Sequence, residues 1–296
     1  MSAVAATVQR GRVLWGAGSG FALAGAGLVV ALSVVAVLAP VLAPYDPHAL
    51  SGAPLQPPSA AHPVGTNNIG QDLLSQLVWG TRASMAVALG SAALALAIGV
   101  LIGIGAGLRG GLVDTVAMRV VDAFLAVPVL PLLIVVAAAF GPSRVTIIVV
   151  IGVMLWPAHA RVVRSQALTL RQRGFVQAAR GLGGGLGYVL RRHLVPALGS
   201  LVAAGFVNVA AIAALLEAGL AFLGLADPTG TSWGLVLNRA LQHQGVYFSA
   251  AWLWWVLPAG GAITVAVLGF TFLGVGLEPA FNPRAAATPE RAAGGG

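Results

Sequence analysis

The chain contains no cysteine and no lysine, and only 8% of its 296 residues are charged. Without cysteine there are no disulfides, no thiolate metal sites and no cysteine nucleophile. Without lysine there is no P-loop, because that motif needs a lysine to reach the nucleotide phosphates. ATP hydrolysis, if it drives this protein, must reside in another chain. Soluble domains carry roughly a quarter charged residues, so water is not the main solvent of this one. The eight acidic residues are outnumbered by sixteen basic ones, all arginine, for a net charge of +8. In a chain that is 58% hydrophobic, a basic excess reads as the positive-inside bias of membrane proteins rather than as affinity for nucleic acid. His48, His62, His159, His193 and His243 are scattered without an i, i+4 pair, so no metal-ligand spacing is present. A serine hydrolase would need facing Ser and His side chains. Ser143 and Ser232 fall in loops on one side, while His159 lies near the opposite end of its span.

What the sequence does have is six apolar runs near the roughly 20 residues that cross a bilayer. They cover residues 20–43, 83–108, 123–140 (extended back to about 116), 145–160, 194–216 and 248–277. This predicts an all-α polytopic protein, helices being the only reasonable spanning structure for such runs. Pro128, Pro131 and Pro157 interrupt spans, and Pro258-Ala259-Gly260-Gly261 marks a place for the last one to tilt or break. Residues 1–19 are too long and too weakly charged for an ordinary signal peptide and show no small-residue cleavage site, so the first run reads as a retained helix.

The loops set the orientation. With a cytoplasmic N-terminus, Arg10, Arg12, Arg109, Arg119, Arg161, Arg164, Arg171, Arg173, Arg180, Arg191, Arg192, Arg284 and Arg291 share one side. Only Arg82, Arg144 and Arg239 remain for the other. Short-loop arginine determines topology, so both termini are expected in the cytoplasm. The division is then a cytoplasmic segment 1–19, a first span 20–43, an extracytoplasmic loop 44–82, a core 83–284 and a flexible cytoplasmic tail 285–296. Loop 44–82 turns helical at about 69–79. The inner loop 161–193 carries seven arginines and reads as a helix, a break at 181–187, then a second helix over 188–193. Its charge fits an anchor on anionic lipid or a docking element for a cytoplasmic partner.

A pattern within that loop separates the two. Phe175-Val176-Gln177-Ala178-Ala179-Arg180-Gly181-Leu182-Gly183, followed after nine residues by His193-Leu194-Val195-Pro196, resembles the EAA loop of bacterial ABC importer permeases. Three further segments resemble the dipeptide/oligopeptide/nickel branch, in the right order. They are His62-Pro63-Val64-Gly65-Thr66-Asn67-Asn68-Ile69-Gly70-Gln71-Asp72, then Glu217-Ala218-Gly219-Leu220-Ala221-Phe222-Leu223-Gly224-Leu225 with Ser232-Trp233-Gly234, and Leu273-Gly274-Val275-Gly276-Leu277-Glu278-Pro279. The likeness runs from about Leu23 to Arg284. Gln177 stands where the family has Glu, Gln71 where it has Arg, Asn67 where it has Asp and Val275 where it has Asp.

The resemblance implies the type I importer permease fold in a bacterial plasma (inner) membrane. It implies half of a translocation path shared with a second permease subunit, two cytoplasmic ATP-binding subunits and an extracytoplasmic substrate-binding protein. Gln177, Ala178, Ala179, Arg180, Gly183 and Pro196 are then the residues expected to couple to the ATPases through loop 171–196. Short peptides are the first substrate class, with nickel chelates or another small solute as the alternative. A stand-alone carrier or channel is the competing class, but such carriers use charged relays within their spans. Glu217 is the one arguable relay here. It lies about 30 Å along its helix from Pro196, where it could instead cap a helix or pair with Arg239 or the outer loop. Asn208, Trp252, Trp254 and Trp255 are divided between path lining and interfacial belts. The pairs Gly103/Gly107 and Gly20/Ala24 read as helix packing. No catalytic, cofactor or metal-binding residue is expected, and no nucleic acid as partner.

The topology has a direct check. Reporter fusions at Ser59 and Gly230 should appear outside, and fusions at Gly184 and Ala293 inside. An outside signal from Gly184 would overturn the arrangement.

Overall fold

The structure, a computed structural model, describes residues 2–141, 143–183, 185–227 and 229–281. The tail 285–296 lies outside the described residues. The helices in chain order are α1 (Ser2–Leu42), α2 (Leu73–Arg109), α3 (Gly111–Ala126), α4 (Val129–Phe140) and α5 (Arg144–Arg171). They continue as α6 (Gly174–Gly181), α7 (Leu186–Val189), α8 (Val195–Phe222), α9 (Trp233–Gln242) and α10 (Ala251–Phe281). Five of these are long and apolar enough to cross a membrane, and there are six if α3 and α4, bent by 85° at their junction, are counted as one span.

Proline position decides where the rods bend. The third span, interrupted as expected at its prolines, is two helices meeting at 85°. Pro128 caps α4, and the preceding Val127 is extended at φ −86°, ψ 128°, as the clash with a following proline ring favours. Pro131 falls in the first turn of α4, where a missing N–H costs little. Pro157 and Pro258, in contrast, lie inside unbroken helices. The break expected at 258–261 is absent, and α10 runs straight through it.

Helix α2 is the central rod. The run at 83–108 and the helical patch at 69–79 are one element of 37 residues, about 55 Å long by the helical rise and so longer than the bilayer core. Along its contact with α5 it carries Gly99, Gly103 and Gly107. A Cβ at Gly103 would stand 2.6 Å from the carbonyl oxygen of Ala160, and one at Gly107 2.8 Å from Ala167 Cβ. The backbones approach this closely only because those side chains are missing. The first and last spans pack likewise, through different residues than expected. Gly20 has nothing near it; the close approach is at Gly25, 2.2 Å from the Leu273 amide nitrogen by its ideal Cβ, and at Gly276, 2.3 Å from that of Ala22. Helix α8 closes the core against α2 and α10, with Ala88, Ala92, Ala95, Val209, Ala210 and Phe270 buried between them.

Loop 44–72 is a folded cap held by side-chain amides. Asp72 caps α2, its Oδ2 accepting from the amide and hydroxyl of Ser75, both at 2.7 Å. Its Oδ1 pairs with His62 Nδ1 at 2.9 Å, both side chains buried. Asn67 Nδ2 donates to Gln71 Oε1 at 2.8 Å, and Gln76 Nε2 donates to the same oxygen at 2.7 Å. Gln71 Nε2 in turn donates to the carbonyl of His48. Gly70 has φ +87° and no room for a Cβ beside the Gly52 carbonyl, so only glycine serves there. The two departures from the family motif thus meet: a neutral amide pair occupies the positions of an Asp and an Arg.

Asn67 and Gln71 are 1% and 8% exposed, so a lone charge there is costly. Asn67→Asp alone should cost about 3 kcal/mol, and Asn67→Asp with Gln71→Arg should recover most of it. Thermal unfolding in detergent checks this; additive losses in the double variant would refute the pairing.

Candidate functional site

Helix α6 carries the segment that resembles the coupling loop, and the buried side chain of Val176 seats it. Val176 is 1% exposed and packs with Val163, Ala167, Leu194 and Leu198, backed by Ile104, Leu108 and Leu190. The ends of α2 and α5 and the start of α8 therefore meet under α6. On its other face Gln177 and Ala178 are exposed and Ala179 is half-buried, with Gln177 Nε2 donating to the carbonyl of Gln172 at 3.3 Å. Arg180 belongs to α6 by its backbone; its side chain lies outside the described residues. Leu182, 90% exposed, stands at the tip.

The break expected at 181–187 is present. Gly183 has φ +86°, and a Cβ there would meet nothing within 4 Å. Close docking is therefore not what requires glycine within this chain; the left-handed turn ending α6 is. After α7 the backbone widens into a π turn, Leu190–Leu194, and Pro196 opens α8. Proline has no N–H to extend an α-helical ladder backward, which places the irregular turn just before it. His193, like Arg180, has its side chain outside the described residues.

Near this end two arginines of α5 reach α3. Arg164 forms a two-pronged pair with Asp114, and Arg161 pairs with Asp122. Of the inner-side arginines these two, with Arg119 beside Asp122, have acidic partners among the described residues. Sequence reasoning assigned them to charge bias alone; Asp114 and Asp122 on the preceding span were the signal for something more specific.

Glu217 lies at the opposite end, 3% exposed. It makes no ion pair with Arg239 among the described residues, contrary to the pairing considered from sequence. It has hydroxyl partners instead: Ser84 Oγ on α2 donates to Glu217 Oε2 at 3.0 Å, and the Ser232 hydroxyl before α9 also bonds the carboxylate. The carboxylate faces a chamber of about 20 Å³, also walled by Arg144, Asp227, Thr231 and Ser232, enough for one water. Thr231 Oγ1 is buried there without a partner among the described residues. Asp227, in the loop before α9, is held below the usual carboxylate range by the Thr229 hydroxyl and then by backbone donors. Asn208, in contrast, is exposed on the face of α8 that also exposes Ile212 and Leu215. Trp255 is a core residue, 1% exposed, while Trp252 is exposed.

With this architecture in view, comparison with known proteins is decisive. The profile of the binding-protein-dependent transport system inner membrane component family matches residues 99–286. The chain belongs to that family. A Brucella suis protein bearing a peptide permease name is 40% identical over 267 residues, covering 89% of this chain and 87% of its own. A second from Brucella suis, bearing a peptide transport system permease name, is 37% identical over 262 residues, covering 87% and 86%. An Escherichia coli K12 protein bearing the name of a D,D-dipeptide transport system permease is 33% identical over 271 residues, covering 90% and 89%. The permease is thus a transport subunit of an ABC importer and not an enzyme, a multi-pass membrane protein with the type I permease fold.

The Glu217–Ser84 bond gives a measurable consequence. Glu217→Ala leaves the Ser84 hydroxyl without its acceptor and opens a void, and should cost about 2–4 kcal/mol. Glu217→Gln keeps an acceptor and should cost less than half of that. Thermal midpoints in detergent decide; equal losses would show that the carboxylate charge, not the bond, matters.

Proposed function

We propose that this permease forms half of the translocation path of an ATP-driven importer of short peptides and couples to its ATPase subunits through residues 171–196. The partners are a second permease subunit, two cytoplasmic ATP-binding subunits and an extracytoplasmic substrate-binding protein. The termini and the α6 end face the cytoplasm of a bacterium, and loop 44–72 faces outward. Peptide as cargo is supported by the names of the three relatives, each covered over nearly its whole length.

The observation that carries the coupling role is the two-sidedness of α6. Val176 fixes it to the ends of α2, α5 and α8, while Gln177, Ala178 and Leu182 project outward. A force on the outer face is delivered to three spans at once. ATP binding biases the bundle only if the ATPases grip one arrangement better than another, and α6 is where such a grip reaches the core. Gln177 carries a neutral hydrogen-bonding head where relatives by motif carry a carboxylate. Arg171, Arg173, Arg191 and Arg192 surround the segment with positive charge, suited to acidic residues on an ATPase surface.

Variants of the loop test this in a reconstituted complex. Gly183→Leu, which meets the left-handed penalty of about 1–2 kcal/mol and adds bulk, should insert normally yet lose substrate-stimulated ATPase activity and transport together. Gly183→Asn, tolerated in that conformation, separates backbone strain from bulk and should be milder. Gln177→Glu should preserve or raise coupling, and Gln177→Arg should lower it. A lipid anchor predicts the reverse pattern: Gly183→Leu harmless, and a graded loss as arginines are removed. Normal coupling in Gly183→Leu would overturn the docking role.

A further inference from the structure

A second opening lies at the pole opposite α6. A basin of about 430 Å³ is walled by Asp46, His48, Trp79, Arg82, Arg144 and Thr231, within the size range of sites that hold small ligands. It sits directly above the Glu217 chamber, with Ala83, Arg144, Gly230 and Thr231 in the walls of both. Both arginines are exposed, and neither has a carboxylate within ion-pair distance among the described residues. Each is nevertheless positioned. The Arg82 guanidinium lies over the Trp79 ring, 5.6 Å from its centroid, and Arg144 is the first residue of α5, where the helix dipole adds to its positive field. Asp46 supplies the opposite sign, its Oδ1 accepting from the His48 amide at 2.7 Å.

We propose that this basin is a binding site for short peptides with a free C-terminus, the carboxylate seated on Arg82 and Arg144 and the ammonium facing Asp46. This rests on the peptide reading above and adds a selection rule to it. Planar guanidinium groups match a carboxylate with paired N–H donors. Arg144 is also within the electrostatic reach of Asp227 and Glu217, so selection rests on the directed N–H donors of the two guanidinium groups. A carboxylate answers these with two acceptors and a peptide amide with one; the amide should be refused. An acidic surface of a partner protein fits less well, since it would bring its charge against Asp46 at the rim.

The test uses the full-length chain in lipid nanodiscs without a binding protein, so that no other subunit selects the ligand. Calorimetric titration with dialanine should show binding at least about tenfold tighter than with dialanine amide, the size expected for losing a charge-assisted contact. The preference should vanish in Arg82→Gln and in Arg144→Gln, persist partly in Arg82→Lys, and be unchanged in Arg191→Gln at the other end. Thermal midpoints confirm that each variant is folded. Equal binding of acid and amide, or no binding of dialanine by the folded chain, would overturn the site. Acetate binding as tightly as dialanine would overturn the peptide assignment in favour of a bare anion contact. Loss of binding-protein association in the arginine variants, without dialanine binding, would reassign the arginines to docking. The peptide reading itself fails separately, if the assembled importer accumulates no short peptide while the acid preference of the basin persists.

Discussion

The close approach of α2 to α5 is the contact on which the other elements depend. In a bilayer the hydrophobic effect does not drive helices together, because lipid tails are as apolar as leucine. Association must come from packing, and packing improves when backbones can touch. Gly99, Gly103 and Gly107 lie on one stripe of α2 and face Trp156, Ala160, Val163 and Ala167 of α5. That contact fixes the ends of both rods. At one end the paired helices make the seat for Val176. At the other they bring Ala83 and Arg144 to the wall of a common chamber with Glu217.

Polar groups are handled differently at the two poles. Loop 44–72 pairs most of its buried polar groups, largely through uncharged amides of Asn67, Gln71 and Gln76 and one carboxylate–imidazole pair between Asp72 and His62, leaving Ser51 Oγ and Gln76 Oε1 without a partner among the described residues. A neutral network avoids the desolvation cost of an ion pair in the same place. Near α6 the charges are paired across helices, Asp114 with Arg164 and Asp122 with Arg161. These ties join α3 to the part of α5 that supports Val176, so α3 moves with α5 unless both pairs break. The α6 surface itself keeps its arginines exposed.

Several features were legible in the sequence, and others depended on position within an element. The spans were readable because each needs a continuous apolar run. The segment that resembles a coupling loop was recognisable because its glycines and proline occupy fixed offsets, and the break at 181–187 followed from glycine content. Proline was harder to interpret. Pro128, Pro157 and Pro258 all lie within apolar runs, yet only at the first does the helix stop and restart, with the preceding Val127 extended, while the other two lie within continuous helices. The Gly20/Ala24 pair has the right spacing for packing and does not pack, while Gly25 and Gly276 do; spacing identifies a small-residue stripe and not the side on which a partner lies.

By itself the sequence determined that this chain lives in a membrane, which runs are apolar enough to cross it, and that it lacks the lysine a P-loop needs. Those properties follow from transfer energies and missing residue types, which are additive along the chain. Tertiary structure decided which polar groups find one another. Glu217 meets Ser84 at a separation of 133 residues, and Arg82 and Arg144, from α2 and α5, come to line one basin. Such pairings depend on the rotation and offset of packed helices, and no local pattern encodes those.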